Sequence, residues 1–291
     1  MRDQAESLRI KMMRSQGELG RSIAVVSGKG GVGKSNFSMN FATTLAKEGK
    51  RIVIVDMDIG MGNIHILIGK SVPYSLKDYL QENRMLEEVM FEGPHGLQYI
   101  SGGSGMSNLL EWTDNMFERL FTGFEELQKE FDYILFDMGA GATQWSLDLL
   151  TAVDEIIVIS TAEPTSITDA YSMMKFMHLR DEDKKFYVLC NRAFSKEEGQ
   201  ETLDRLKLAM KKFLSKEVTL LGSLPEDSVV RQAVREQVPF VIAYPDALIS
   251  KTLKLIVKRF VEQGNEEVHA HEQVSNKFLS KLKSIFSKGR D

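Results

Sequence analysis

A glycine-rich stretch at residues 28–35 has the composition of a phosphate-binding loop. It reads Gly-Lys-Gly-Gly-Val-Gly-Lys-Ser, which fits the pattern G-x-x-x-x-G-K-[ST], and it directly follows the apolar run at residues 22–27. Glycines allow the main chain to wrap around phosphates with its N–H groups pointing inward. Lys34 is placed to contact the β- and γ-phosphates, and the Ser35 hydroxyl is placed to bind Mg²⁺. The other candidates for contact with the nucleotide are Gly28, Lys29, Gly30, Gly31, Val32, Gly33 and Asn36.

A second candidate group is an aspartate that ends an apolar run. Asp137 follows residues 133–136, which read Tyr-Ile-Leu-Phe. Beside a phosphate loop, a strand-end aspartate of this kind holds Mg²⁺ directly or through water, so Asp137 and Ser35 form the predicted metal site. The glycines that follow, Gly139 and Gly141, leave room for a switch loop to approach the γ-phosphate.

Two further carboxylates, Asp56 and Asp58, come at the end of another apolar run, residues 52–55. Because side chains alternate along a strand, residues two apart point to the same side, so both carboxylates face one region. The alternative is a strand-end acid pair without a catalytic role.

A lysine inside the loop distinguishes it from an ordinary phosphate loop. Residues 29–35, Lys-Gly-Gly-Val-Gly-Lys-Ser, resemble the deviant Walker A motif of the MinD and ParA family of ATPases. The resemblance implies that Lys29 crosses the interface of an ATP-dependent homodimer and acts on the partner's nucleotide as a catalytic cation, alongside Lys34. Arginine fingers with this role contribute about 10³–10⁵ in rate. A solvated loop lysine is the alternative.

The same family resemblance extends to the segment around Asp58. Residues 56–63 match the family pattern D-x-D-I-G-x-x-N, which Asn63 completes. The resemblance implies that Asp58 positions the attacking water and that Asp56 supports the phosphate loop or the metal shell. It also implies slow, switch-type hydrolysis of ATP to ADP and phosphate, with ATP and Mg²⁺ as the cofactors.

Two strand-end segments resemble the base-binding segments of this family. Asn191 and Arg192 follow an apolar run, and residues 224–227 supply Pro225 and Asp227. By resemblance these residues contact adenine, Asn191 through its amide and Arg192 by packing. An amide that bonds to the adenine amine favours ATP over GTP, since guanine carries an acceptor at that place. A plain loop is the alternative for both segments.

Short apolar runs alternate with amphipathic stretches along residues 21–263, and this alternation predicts right-handed βαβ units. We expect a doubly wound α/β domain, with a mostly parallel sheet and helices on both faces. Such sheets bind ligands at the carboxyl ends of their strands, where the candidates above lie. The strands are predicted near residues 22–27, 52–55, 133–136, 156–159, 186–189 and 218–221. The helices are predicted near residues 36–47, 108–129, 165–179, 197–214 and 247–263.

The last part of the chain has the composition of an interfacial anchor. Residues 264–273 read as a charged linker, and residues 274–291 read as an amphipathic helix with lysines beside its apolar face. The apolar face consists of Phe278, Leu279, Leu282, Ile285 and Phe286. Four lysines at about 1 kcal/mol each favour an anionic membrane surface by roughly 4 kcal/mol. We expect reversible attachment to the cytosolic face of the membrane in the ATP state; packing of this helix on its own core or on a partner protein is the alternative.

The first 20 residues are not needed for a domain of this family. Asp3, Gln4, Ala5, Leu8 and Arg9 resemble the D-Q-A-x-x-L-R element that begins members of the FlhG family of flagellar-number regulators. The resemblance implies a partner-activating extension that stimulates the FlhF GTPase, a signal-recognition-type protein. It also implies action with flagellar switch (C-ring) proteins in limiting flagellar number and placement. A frayed helical tail is the alternative.

The composition of the chain excludes several classes of protein. Of 291 residues, 43% are hydrophobic, which suffices for a full core, and the formal net charge of −4 gives no whole-protein attraction to nucleic acid. With one cysteine, Cys190, neither a disulfide framework nor a cluster held by several thiolates of one chain is possible. No apolar run reaches about 18 residues and the N-terminus lacks the apolar core of a secretory signal, so we expect a cytosolic protein.

Three other functions stay open at this level, whereas the single cysteine excludes an iron–sulfur carrier. A MinD-type division-site regulator would share the core and the terminal anchor but would not need the N-terminal element. A ParA-type DNA-partition ATPase would bind DNA through its ATP dimer with strong salt dependence. An iron–sulfur carrier of the same superfamily would need more than one thiolate per chain. A scaffold that binds ATP without hydrolysing it would turn over equally slowly with and without Asp58.

Overall fold

Eight strands form one sheet in the part of the chain that the structure describes. In this computed structural model, that part comprises residues 19–59, 62, 64–81, 83–103, 112–139, 144–270, 278–279 and 281–282, with side chains described to residue 263 of the last long helix. The strands are β1 (Arg21–Val26), β2 (Ile52–Asp56), β3 (Met90–Glu92), β4 (Gln98–Ile100), β5 (Tyr133–Asp137), β6 (Glu155–Ser160), β7 (Lys185–Ala193) and β8 (Thr219–Pro225).

The strand order is β3-β4-β2-β5-β1-β6-β7-β8, and all neighbouring pairs are parallel except β3 with β4. The prediction of a mostly parallel sheet is therefore confirmed. All six predicted strands are present within a few residues of their expected positions. The short strands β3 and β4 were not predicted, because three residues are too few to show a strand periodicity.

Helices cover both faces of this sheet. They are α1 (Lys34–Lys47), α2 (Leu76–Leu80), α3 (Leu86–Val89), α4 (Asp114–Glu130), α5 (Gln144–Ala152), α6 (Pro164–His178), α7 (Lys196–Leu214), α8 (Ser228–Glu236), α9 (Phe240–Ala243) and α10 (Leu248–Ala270). Short 3₁₀ helices lie at Ile64–Ile68 and Pro94–Gly96. Within the described residues, no helix is both long enough and apolar enough to cross a bilayer.

Two predicted boundaries differ from the structure. The helix expected from residue 108 begins at Asp114, because the Thr113 hydroxyl accepts a hydrogen bond from the Met116 N–H (3.3 Å) and caps the helix there. The segment expected to be a linker from residue 264 is helical as far as Ala270, where it continues α10. High charge is compatible with an exposed helix, so charge alone was a poor indicator of a linker.

Alternate residues of the strands enter two apolar cores, one on each face of the sheet. In β1, Ile23 and Val25 join the core that contains residues of α1 and α10, whereas Ala24 and Val26 join the core that contains residues of α4 to α7. Because both faces are covered, the central strands are apolar at nearly every position. Polar side chains can therefore meet only at the ends of the strands.

The sheet order decides which strand ends meet. Because β5 lies between β1 and β2, Asp137 stands in register with Asp56 on the neighbouring strand. On the other side of β1 lies β6, followed by β7, so the residues after β6 and Asn191 of β7 come close to the phosphate loop. At the carboxyl ends of these strands, the connection after β1 leads to β2 on one side and the connection after β6 leads to β7 on the other, and sheets of this kind bind ligands where the direction reverses.

At the opposite ends of the strands, charged side chains connect β1 to β6. Arg21 of β1 pairs with Glu155 of β6, with 2.5 Å between Nη2 and Oε2. The carboxylate of Asp154 accepts hydrogen bonds from the main-chain N–H and the hydroxyl of Ser22, at 2.9 and 2.5 Å. These contacts stabilise the register of β1 against β6, which in turn positions the phosphate loop.

Candidate functional site

The phosphate loop connects β1 to α1, as predicted. Gly31 and Gly33 have φ angles of +79° and +93°, in the left-handed region that glycine adopts without a Cβ penalty. Gly33 is the N-cap of α1, and its carbonyl accepts a hydrogen bond from the Phe37 N–H (2.9 Å). Residues 28–31 are exposed, and Asn36 is half-buried in the first turn of α1. The free N–H groups of this turn make the loop an anion-binding site.

Two close contacts hold the loop against neighbouring elements. A Cβ atom added at Gly28 would lie 2.3 Å from the main-chain carbon of Asp169 in α6. A Cβ atom at Gly33 would lie 2.6 Å from the amide nitrogen of Asn191, which donates a hydrogen bond to the Val32 carbonyl (2.8 Å). Packing against main-chain atoms therefore requires glycine at position 28, whereas at position 33 the positive φ favours glycine and a Cβ atom would also displace the Asn191 amide, which stabilises the loop from the end of β7.

The predicted metal ligands meet beneath the loop. The buried Asp137 carboxylate accepts hydrogen bonds from the hydroxyls of Ser35 and Ser38, the latter at 2.8 Å. Burial raises the pKa of Asp137, whereas these bonds and the nearby charge of Lys34 favour its charged form. A carboxylate beside a hydroxyl is the hard oxygen donor set that Mg²⁺ prefers, so the residues present fit this ion. Ser38 was not predicted, because only the sheet order shows that this side of α1 faces β5.

Asp56 organises the segment that follows β2. Its carboxylate accepts hydrogen bonds from the main-chain N–H groups of Asp58 (3.0 Å) and Ile64 (3.4 Å). Burial, and after it the negative charge of Asp137, raises the pKa of Asp56 to about 7. Asp56 therefore ties both ends of the segment to the sheet, directly beside the candidate metal site.

Asp58 lies where the segments after β2 and β5 approach each other. A Cβ atom added at Gly139 would lie 3.2 Å from both the carboxyl carbon and Oδ1 of Asp58. The absence of a side chain at Gly139 thus lets the Asp58 carboxylate pack against the segment after β5. Asn63 and Gly141, the other predicted residues of these two segments, lie outside the described residues.

Lys29 and Lys34 have different surroundings, although both belong to the loop. Lys34 is buried. The Lys29 ammonium donates a hydrogen bond to the Glu163 carboxylate (2.7 Å), and the two side chains keep 45% and 60% of their surface exposed. Lys29 therefore stands at the outer rim of the site. Glu163 was not predicted, although it follows the apolar run of β6 much as Asp137 ends that of β5, so attention to every strand end would have found it.

The two predicted base-binding segments lie at the ends of β7 and β8. Arg192 has a φ of +59°, which is uncommon for a residue with a side chain, and its Nε donates a hydrogen bond to the Glu226 carboxylate (2.8 Å). Pro225 ends β8. The Asp227 carboxylate accepts a hydrogen bond from a main-chain N–H in the first turn of α8 (3.1 Å), so Asp227 caps this helix.

The terminal apolar residues that the structure describes pack into the domain's own core, the arrangement given above as the alternative to membrane attachment. Phe278, Leu279 and Leu282 are 0%, 5% and 0% exposed. The Phe278 ring lies 5.9 Å from the rings of Phe124 in α4 and Phe136 in β5. In this state the described apolar residues of the segment are buried, and Phe278 packs against α4 and β5, so packing on its own core is the alternative that holds for them.

An ion pair accompanies this packing. The Lys281 ammonium donates a hydrogen bond to Asp181 (2.6 Å), and Asp181 also lies 3.4 Å from the ammonium of Lys184. Burial lowers the pKa of Lys184 to about 8. The remaining predicted membrane and partner-activating residues lie outside the described residues: Ile285, Phe286, Asp3, Gln4, Ala5, Leu8 and Arg9.

Comparison with known proteins supports the fold and the loop together. The model of the ParA family, described as NUBPL iron-transfer P-loop NTPase, matches residues 18–261. The antiactivator FleN of Pseudomonas aeruginosa is 31% identical over 81% of this chain and 85% of its own length. The flagellum site-determining protein YlxH of Helicobacter pylori is 33% identical over 83% of this chain and 82% of its own length.

One solved structure shows the same fold with a nucleotide. The septum site-determining protein MinD from Pyrococcus horikoshii, complexed with Mg-ADP, superposes with a TM-score of 0.69 over 85% of this chain and 98% of that chain, at 22% identity. Cys190, the single cysteine of the chain, is buried, and its burial raises the pKa of the thiol to about 11.

The geometry and the family match lead to the same class of protein. The glycine loop, the buried lysine and the strand-end aspartates meet at one edge of the sheet, and the family match extends over most of the chain. The chain belongs to the ParA family of P-loop NTPases and is an ATPase.

Proposed function

We propose that this chain is an ATP-dependent, dimerising switch that regulates the number and placement of bacterial flagella. We infer the dimer from the position of Lys29, which is exposed at the rim of the site, whereas Lys34 is buried. A cation at the rim is suited to reach the nucleotide of a second copy of the chain. The names of the relatives FleN and YlxH, an antiactivator and a flagellum site-determining protein, support the flagellar role.

In this proposal the loop amides and Lys34 hold the phosphates of ATP, and Ser35 and Asp137 hold Mg²⁺. The ion supplies positive charge that neutralises the β- and γ-phosphates. Ser38 orients the Asp137 carboxylate through the hydrogen bond to its Oδ1. The similar fold of a MinD that was solved with Mg-ADP supports this pair of cofactors.

Asp58 aligns the attacking water. Its main chain is held by Asp56 and its side chain lies against Gly139, so its position depends on both segments that border the phosphate site. Loss of the γ-phosphate would remove what these segments enclose, and hydrolysis thereby resets the switch. Lys29 completes the site from the partner protomer, where it stabilises the charge on the transferred phosphoryl group.

The base is bound between the ends of β7 and β8, and the hydrogen bond of Asn191 favours adenine. Its amide nitrogen donates one hydrogen bond to the Val32 carbonyl, which fixes the amide at the end of β7, and in this proposal Oδ1 faces the base. An oxygen accepts from the adenine amine, whereas it repels the guanine carbonyl at the same place. Arg192, held by Glu226, packs on the base beside Pro225, and Asp227 positions this segment by capping α8.

Membrane association uses the terminal helix in a second state. In the docked state, burial of Phe278 is worth about 1.5–3 kcal/mol, which keeps its apolar face from lipid. Phe278 packs on Phe136, which directly precedes Asp137 on β5. The surface that receives the terminal helix and the candidate metal site therefore share one strand. We propose that the ATP dimer releases the helix and that two released helices bind an anionic membrane together, which raises the avidity.

The Asp181→Asn substitution is expected to increase binding to phosphatidylserine vesicles in the absence of ATP by a factor of at least about 1.4–5, the range for an exposed ion pair, because the pair with Lys281 is partly buried. The reason is that the docked state loses its pair with Lys281. Flotation of the full chain with vesicles measures this binding. The Glu182→Gln variant is the matched control, because it removes an equal charge from the next, exposed residue. Equal flotation of both variants would show that the Asp181 pair does not restrain the helix.

The flagellar assignment predicts an effect on the FlhF GTPase. A peptide of residues 1–20 is expected to stimulate GTP hydrolysis by FlhF, and a peptide with Arg9→Ala to stimulate it less, since Arg9 can contact phosphate. GTP turnover with each peptide measures this. If neither peptide had any effect, the assignment would shift to a division-site regulator, the role that the names of MinD relatives carry.

A further inference from the structure

Glu163 occupies the N-cap position of α6 but does not cap it. Its side chain makes no capping hydrogen bond, although a carboxylate at this position could accept one from the first turn. Instead the carboxylate receives the Lys29 ammonium at 2.7 Å. This hydrogen bond and the Lys29 charge lower the pKa of Glu163, and the charge of Arg192 contributes in the same direction.

The surroundings explain why a carboxylate is stable here. The rim is bordered by the N-termini of α1 and α6, each of which carries a partial positive charge, and by Arg192. In the protomer without nucleotide, Glu163 supplies a negative charge to Lys29, as a phosphate would. The sheet order makes this contact possible, because β6 runs directly beside β1.

We propose that Glu163 is a positioning residue for Lys29, which holds the lysine within its own protomer until the ATP dimer forms. The inference rests on the proposed function, in which Lys29 acts on the partner's nucleotide. To reach that nucleotide Lys29 gives up its bond to Glu163, so each dimer breaks two such pairs. Glu163 therefore sets the protein concentration at which ATP assembles the dimer. The carboxylate left behind remains at the N-terminus of α6, where the helix dipole stabilises it.

The test is the Glu163→Gln substitution in the full chain. An exposed ion pair changes an equilibrium constant by a factor of about 1.4–5, so the loss of two pairs lowers the dimer dissociation constant about 2- to 30-fold. Sedimentation over a series of protein concentrations, with Mg²⁺ and a non-hydrolysable ATP analogue, measures this constant. The difference from the unaltered chain shrinks as salt is added, because exposed pairs are screened. The Glu163→Asp variant keeps the charge and stays nearer to the unaltered chain.

Two control variants test whether the shift in the dimer dissociation constant is specific to the pair of Lys29 and Glu163. Glu201→Gln removes an equally exposed carboxylate, paired with Arg205 on α7, and leaves the constant unchanged. In a Lys29→Ala background, Glu163→Gln produces no further shift. A weaker or unchanged dimer in Glu163→Gln alone would overturn the inference. If Lys29→Ala dimerised and hydrolysed ATP like the unaltered chain, the proposed function itself would fail.

Discussion

The Lys29→Ala variant is expected to hydrolyse ATP about 10³-fold more slowly than the unaltered chain, the lower limit for a cation supplied in trans. The expectation follows from the exposed position of Lys29 at the rim, beside Glu163 and apart from the buried Lys34. Nucleotide binding by the separate protomer should change little, because the loop amides and Lys34 remain. Phosphate release at saturating ATP, together with binding of a fluorescent ATP analogue, measures both quantities.

Two matched lysine variants make this prediction specific. Lys47→Ala removes a lysine from the C-terminal end of α1, the helix that follows the phosphate loop, and should leave turnover unchanged. Lys34→Ala should weaken nucleotide binding itself, because Lys34 belongs to the phosphate cradle. Turnover by the unaltered chain should rise faster than linearly with protein concentration, since two protomers complete each site. A Lys29→Ala variant with undiminished turnover would contradict a role in trans.

The Asp58→Ala variant is expected to retain the ATP dimer while its hydrolysis falls about 10²–10⁴-fold, the range for a side chain that positions a proton-transferring group. The carboxylate lies against Gly139, whereas the contacts of the loop with phosphate do not involve it. The dimer should therefore form and then persist. Single-turnover hydrolysis and sedimentation with ATP measure the two effects separately.

The shape of the site supplies the control for this second prediction. Asp58→Asn keeps the size of the side chain against Gly139 and removes only its charge, so it should be as slow as Asp58→Ala and should dimerise as well. If all three chains hydrolysed ATP at the same slow rate, the protein would be a scaffold that binds ATP without using Asp58. A variant that lost the dimer would instead show that Asp58 serves assembly.

The phosphate loop was predictable because its determinants are adjacent in the chain. Gly33 needs a positive φ and Lys34 follows it directly, so the order of residue types in the sequence is enough to identify the loop. The aspartates were predictable for a related reason, since polar side chains of a sheet covered on both faces are confined to strand ends. Asp56 and Asp137 lie far apart in sequence, yet each ends an apolar run.

The partners of these residues were not predictable in the same way. The pairing of Lys29 with Glu163 and the bond from Asn191 to Val32 each join residues more than a hundred positions apart. Which strand ends lie side by side depends on the order of β5, β1, β6 and β7 in the sheet, and a local pattern carries no information about that order. Ser38 illustrates the same limit, because its contact with Asp137 exists only once α1 packs beside β5.

The terminal segment shows both what the sequence determines and what only the tertiary structure decides. Its sequence alone determined that one apolar face, including Phe278 and Leu282, must be covered, because the spacing places these side chains together. Only the tertiary structure decided what covers Phe278 in this state, namely Phe124 and Phe136 of the domain itself. Apolar burial is non-directional, so a lipid surface and a protein core satisfy the same face, and the available partner decides between them.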